Sequence, residues 1–359
     1  MTLSAVEGIS VSNVIGQSVS NDSKVGIAVS PNDTAEKKSS LSAIYGPVLE
    51  ELAKVESTIT AELQATSPEV EILLSHSRSL GGKRLRPALL LLTGKALSSV
   101  SESHVYAAAA LEMIHLATLI HDDVLDEAKT RRHKETAHEK FGARPGVLLG
   151  DYLFTHSFSV GSKSESIAAV KMLAQASNQV CEGEIKQNAW QADFSVTESA
   201  YLKMVSEKTG ELCAAGCGIG ASLSGADEAT IESFKAFGRD LGVAFQIVDD
   251  VLDLVGDANE VGKTLGTDLQ NRKMTLPVIH ALASLRGVDR DGLFELLRMN
   301  TVSVKDVVAV LHKSGSIDYA RGVAKTIAER AIAFAAGLPK SDASRSLVAI
   351  GTMMLKRTF

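Results

Sequence analysis

The chain has 359 residues, a net charge of −6, and 45% hydrophobic but only 4% aromatic residues. That length supplies one large domain or two fused ones, and the acidic balance leaves no electrostatic footprint for a nucleic-acid partner. Three cysteines, Cys181, Cys213 and Cys217, cannot all pair with one another. A disulfide scaffold is excluded, and a reducing, cytoplasmic location is expected.

Residues 1–40 hold nine serines, three asparagines and no aromatic residue or arginine. That composition predicts a disordered polar leader, neither a transit peptide nor a secretory signal. From Leu41 the pattern changes. Ile44, Val48, Leu52 and Val55 fall on one helical face, with Glu50, Glu51 and Lys54 between them. The same rhythm continues, so residues 41–359 are read as a single all-helical domain. Tyr106 to Ile120 and Leu212 to Ala226 are apolar nearly all round, which predicts helices buried inside a bundle. Glu112 and His115 in the first stretch, and the many small residues in the second, weaken a membrane-spanning reading of either. Turn residues cluster at Gly81-Gly82, Arg144-Pro145-Gly146, Gly161-Ser162, Ser224 to Asp227, Gly256 to Gly266 and Gly337 to Pro339. The expected fold class is an all-α bundle without any βαβ rhythm.

Two identical pentapeptides carry the most information: Asp122-Asp123-Val124-Leu125-Asp126 and Asp249-Asp250-Val251-Leu252-Asp253. On a helix the first and last aspartates of each lie on one face, one turn apart. Like charges so placed repel, and both clusters follow apolar residues, where unneutralised carboxylates are costly. Oxygen-only ligands without Cys or paired His indicate a hard cation, and sparse carboxylates beside phosphate oxygens suit Mg²⁺. Two such clusters facing each other would clamp a diphosphate through several Mg²⁺ ions.

A basic constellation stands apart from them. Gly81-Gly82-Lys83-Arg84-Leu85-Arg86-Pro87 is a glycine turn opening onto three cations before an apolar helix, an arrangement that suits an anion without metal. Arg131-Arg132 and Lys208-Thr209-Gly210 add further cations. Gly256 with Gly262-Lys263-Thr264 imitates a phosphate-binding loop, but five residues separate the glycines and an acidic helix precedes them. A Walker site is therefore not expected. Cys213 and Cys217 could share a helical face, yet no second ligand pair accompanies them, so they are read as core.

In this order the motifs resemble those of the trans-isoprenyl diphosphate synthases, over essentially residues 41 to 359. The resemblance adds Ile120-His121 before Asp122, Gly150-Asp151, Gly183-Glu184, and Phe245 to Val248 before Asp249. It implies the all-α isoprenoid synthase bundle around a central cavity, usually a homodimer, joining an allylic diphosphate to isopentenyl diphosphate. By the same resemblance, Asp122, Asp123, Asp126, Asp249, Asp250 and Asp253 bind Mg²⁺ and hold the allylic diphosphate. Arg131, Lys208 and Lys263 match cations around that leaving group, and Lys273 a further basic residue there. Lys83, Arg86, His115 and Arg132 match the isopentenyl diphosphate site. Thr209 and Gln246 match polar groups beside the forming carbocation.

Breaking an allylic C–O bond leaves a diphosphate anion, which metal, Arg and Lys stabilise without any activated nucleophile. Thr118 and Ala117, four and five residues before Asp122, are small where short-chain members often place an aromatic floor. A product of C20 or longer is expected, with C30 to C50 favoured, unless deeper residues such as Met113 block the tail. The chain departs from the family at Arg272-Lys273, where Gly-Lys is common, and at Glu135, where proline is common. A terpene cyclase and a non-catalytic subunit of a heteromeric synthase are the alternatives. The intact second motif and Lys83 with Arg86 weigh against the cyclase, and the complete acidic motifs weigh against the subunit. A lipid product suggests transient membrane contact without an anchor.

Overall fold

The computed structural model describes residues 41–356 except 66, 80, 132, 133, 257–264 and 300. The polar leader and the imitation phosphate loop at 262–264 therefore lie outside the described residues. The first helices are α1 (Leu49–Glu62), α2 (Pro68–Ser79) and α3 (Leu85–Leu97). Next comes α4 (Glu102–Leu125), which ends in the first acidic motif. A two-residue antiparallel ladder follows, β1 (Thr130–Arg131) with β2 (Lys134–Glu135), pairing Arg131 with Lys134. This ladder is the one departure from an all-α chain among the described residues.

After α5 (Ala137–Phe141) come α6 (Ala143–Ser162) and α7 (Ile167–Ala189). The break expected at Arg144 to Gly146 falls two residues earlier, at Gly142 with φ +92°, and Pro145 sits in the first turn of α6, where no amide is needed for the helix ladder. Then α8 (Glu198–Val205) passes through a π turn, Ser206–Gly210, into α9 (Glu211–Leu223). The second acidic motif ends α10 (Glu228–Val255). The remaining helices are α11 (Thr267–Gln270), α12 (Leu276–Ser284), α13 (Gly287–Arg298), α14 (Val304–Lys313), α15 (Ser316–Ala336) and α16 (Asp342–Lys356).

Small residues decide the layering. Every residue from Leu212 to Ala221 on α9 is buried, and α3, α4, α7 and α10 all pack on this helix. An apolar run with no polar face can persist only in such a central position. Cys213 and Cys217 are buried there as free thiols, whereas Cys181 is free and exposed. Helix α4 is long and apolar enough to cross a membrane by length and composition, yet 67% of its apolar window is buried within the bundle. A second core, including Tyr201, Ile247, Val251, Leu276, Leu293 and Leu311, fixes the C-terminal half of α10 against α8 and α12 to α15.

The closeness of α9 to α10 depends on Gly238, where a Cβ would stand 2.4 Å from the carbonyl oxygen of Cys213. A backbone oxygen on a packed helix cannot swing aside. Gly238→Ala is expected to lower stability by about 1–3 kcal/mol, read as a lower urea midpoint with unchanged slope.

Candidate active site

Both acidic motifs occupy the C-terminal ends of their helices, where the helix dipole is already unfavourable to anions. Helix stability does not explain carboxylates there. Burial is the chief reason that the Asp122 carboxyl is pushed up to about 6; Lys208 opposes it, while Glu184 and Asp126 add to it. Asp123, with a side chain only 3% exposed, accepts from Arg131 Nε at 2.9 and 3.0 Å, and Arg131 Nη2 lies 2.8 Å from it. The β ladder thus fixes Arg131 beneath the motif, while Arg132 lies outside the described residues. Asp126 accepts a 2.8 Å bond from Lys273 Nζ.

Lys208 and Thr209 lie in the π turn, a local widening of the helix that commonly marks functional positions. Lys208 Nζ pairs with Glu184 and donates to Gln187 Oε1 at 2.7 Å. Burial works against the Lys208 charge, but Asp122 and Glu184 more than offset it, so its pKa is raised. The approach of α7 requires Gly183, because a Cβ there would fall 2.6 Å from the Lys208 backbone nitrogen. Thr209 Oγ1 donates to Gln246 Oε1 at 2.9 Å, and Gln246 Nε2 donates to Asp250 Oδ1 at 2.8 Å. The Tyr201 hydroxyl donates to the other oxygen of Asp250 at 2.6 Å. Burial first, then the charge of Asp268, pushes the Asp250 carboxyl up to about 7.

Asp250 and Asp253, expected among the metal ligands, both accept hydrogen bonds from protein donors. Asp253 accepts from Thr267 Oγ1 at 2.8 Å and from the Asp268 amide at 3.0 Å, so it anchors the start of α11. Asp249, half-buried, completes this motif. Lys273 lies 2.8 Å from Asp126 and 3.9 Å from Asp268, and so connects the first acidic helix end to α11, whose first turn Asp253 holds. Lys263 lies outside the described residues. No three His, Cys, Asp or Glu side chains among the described residues converge closely enough to hold a metal ion by themselves.

The basic turn forms a second site. Arg86 Nη1 lies 3.0 Å from His115 Nε2, and Lys83 is exposed beside them. Between α4 and α6 the seam is antiparallel: Gly146 meets Val124, Gly150 meets His121 and Gly161 meets Ala110. Ala117, fully buried, therefore falls opposite Leu153 and Phe154 by helical spacing. Half-buried Thr118 donates its hydroxyl to the His115 carbonyl at 2.8 Å. Met113 is placed differently from expectation. It is nine residues before Asp122, about 180° around the helix, and lines a small recess of about 40 Å³ with Ile59, Leu63 and Leu116. It is not in line with Asp122 and Thr118.

Sequence reasoning missed Glu184 and Gln187 as partners of Lys208, and Tyr201 as the donor to Asp250. The glycine at 183 was the available signal for the first pair. At Arg272, by contrast, the departure from glycine leaves the turn intact. Arg272 takes φ +54°, the left-handed conformation glycine adopts freely, and Lys273 then reaches back to bond the Asp268 carbonyl at 2.8 Å. Arg272→Gly is expected to raise stability by up to about 1 kcal/mol. A fall in the denaturation midpoint would mean that the guanidinium, 3.5 Å from the Met299 carbonyl, outweighs the strain.

The sequence and fold have close counterparts among known proteins. Residues 67–313 match the family described as polyprenyl synthetase. An octaprenyl diphosphate synthase from Haemophilus influenzae is 32% identical over 311 residues, covering 86% of this chain and 94% of the relative. A decaprenyl diphosphate synthase structure from Rhodobacter capsulatus superposes with a TM-score of 0.83 at 31% identity, covering 89% of this chain and 99% of the other. A polyprenyl synthase from Caulobacter crescentus, solved with calcium and isoprenyl diphosphate, gives 0.82 at 31% identity over 88% and 97%. The chain belongs to the polyprenyl synthetase family of trans-prenyltransferases, with the all-α isoprenoid synthase fold.

Proposed function

We propose that this prenyltransferase lengthens an allylic diphosphate by head-to-tail addition of isopentenyl diphosphate, to C20 or longer, with C30 to C50 favoured. The observation that carries the reading is that Lys273 pairs with Asp126 of the first motif and with Asp268, whose amide bonds Asp253 of the second, with Lys208 and Arg131 set among the carboxylates. Asp122, Asp126 and Asp249 supply hard oxygen donors, and burial, followed by the charges of Glu184 and Asp126, pushes the Asp122 carboxyl up against the opposing pull of Lys208. A divalent cation fits there, Mg²⁺ by this reading, in several ions held with the diphosphate. When bound, it would supply Lewis-acid stabilisation of the leaving diphosphate.

The chain's own residues do the rest. Lys208, Arg131 and Lys273 stabilise charge on the departing diphosphate in a partly dehydrated site. Thr209 and Gln246, oriented by Asp250 and Tyr201, place oxygen dipoles beside the allylic cation. Lys83, Arg86 and His115, with Arg132, hold isopentenyl diphosphate so that its double bond meets that cation. The proton then leaves, with the released diphosphate as the nearest base. Exposed Leu125, Leu148 and Ile185 support a homodimer, and a long lipid product supports transient membrane contact by a cytoplasmic protein.

Incubation with isopentenyl diphosphate, farnesyl or geranylgeranyl diphosphate and Mg²⁺ is expected to give a product ladder ending at one long chain. EDTA should abolish it, and Asp122→Ala should slow it by about 10²–10³-fold. Hydrolysis or cyclisation of the allylic diphosphate without elongation would overturn the reading. Ala117→Phe, which narrows the α4–α6 seam, or Thr118→Tyr is expected to shorten the product by mass analysis. An unchanged distribution from both variants would sink the floor assignment.

A further inference from the structure

Three cations stand in the basic turn, and the structure divides them. Lys83 is exposed and Arg86 meets His115. Arg84 turns instead into a clamp of two carboxylates from other helices. Its Nε and Nη2 bond Glu56 on α1, and its Nη1 bonds Glu112 on α4 at 2.8 Å. Glu112 is the buried half of this clamp, with a side chain 6% exposed, against 45% for Glu56. Its second oxygen, Oε2, has no hydrogen-bond partner among the described residues; neither has Arg86 Nε nor the Tyr45 hydroxyl, all three of them buried atoms.

Position explains what the clamp is for. Arg84 immediately precedes α3 and takes φ +51°, a left-handed conformation that a residue with a Cβ avoids unless its surroundings impose it. Glu112 and His115 are three residues apart on α4, so one helical face sends two tie bars to the turn, Glu112 to Arg84 and His115 to Arg86. Lys83, Arg84 and Arg86 also repel one another; burial pushes the Glu112 carboxyl up, and Arg84 and then Arg86 favour its charged form.

We propose that Glu112 is a positioning residue for the second anion site. With Glu56 it locks Arg84, so that the turn aims Lys83 and Arg86 at one diphosphate while Arg84 itself contacts none. This rests on reading the turn as the isopentenyl diphosphate site. Bidentate and charge-assisted bonds of this kind are strong and directional, and lysine cannot reproduce the two-carboxylate fork.

Steady-state kinetics of the full chain test the assignment. Glu112→Gln keeps the shape and removes the charge; it is expected to raise KM for isopentenyl diphosphate about five- to tenfold, leaving kcat and the allylic KM within about twofold. Arg84→Lys should do the same, and Glu56→Gln should give a smaller rise of the same kind. An unchanged isopentenyl KM, or both KM values rising together, would overturn the proposal. If Glu112→Gln fails to fold by circular dichroism, the half-exposed Glu56→Gln decides alone by the same criterion. A wild-type chain that does not elongate overturns the functional reading separately. Calorimetric titration with inorganic diphosphate in EDTA then judges the clamp: weaker binding by Glu112→Gln supports it, and equal binding overturns it.

Discussion

Everything in this fold answers to one electrostatic constraint: carboxylates gathered at the ends of two buried helices, where neither water nor the helix dipole favours their charge. Asp122 and Asp250 are pushed up to about 6 and 7, chiefly by that burial. The protein supplies only partial relief. Arg131 neutralises Asp123, Lys273 spans Asp126 and Asp268, and Lys208 is shared between Glu184 and the field of Asp122. Each cation is tied to a carboxylate before any diphosphate arrives. Such a lattice has the components of a preorganised anion trap, in which little reorganisation is needed when charge develops on a leaving group.

The bundle provides the stiffness that this arrangement needs. Helix α9, buried from Leu212 to Ala221 and flanked by α3, α4, α7 and α10, lets the two motif-bearing helices be positioned from a common centre. Small residues set the distances. Gly238 brings α10 onto α9, and Gly183 lets α7 approach the Lys208 backbone. Larger residues at either place would separate the acidic helix ends from the cations that answer them.

Much of this was legible in the sequence, for a physical reason. The aspartate spacing within each motif, the cations after Gly81-Gly82 and the apolar runs of α4 and α9 are patterns within one element, and helical geometry turns spacing directly into a shared face. What stayed hidden depends on distant partners. Tyr201 meets Asp250 across 49 positions, and Arg84 meets both Glu56 and Glu112 across 28. No local periodicity records such pairs. For the same reason Asp250 and Asp253 looked equivalent to their neighbours, although Tyr201 and Thr267 engage them from other elements. The β ladder around Arg131 was also invisible, being only two residues on each side.

The π turn between α8 and α9 has a consequence for how the site tolerates change in length. A turn with one residue more than an α-helix needs advances the chain without advancing the helical face, so α8 and α9 are out of phase by about 100°. Tyr201, before the turn, serves Asp250, and Lys208, within it, serves Glu184 and Asp122. Removing one residue from Ser206–Gly210 would restore a regular helix and the ordinary hydrogen-bond ladder. The same deletion would rotate one of these groups away from its carboxylate. The local irregularity is therefore a phase shifter, allowing one continuous rod to address both acidic helix ends.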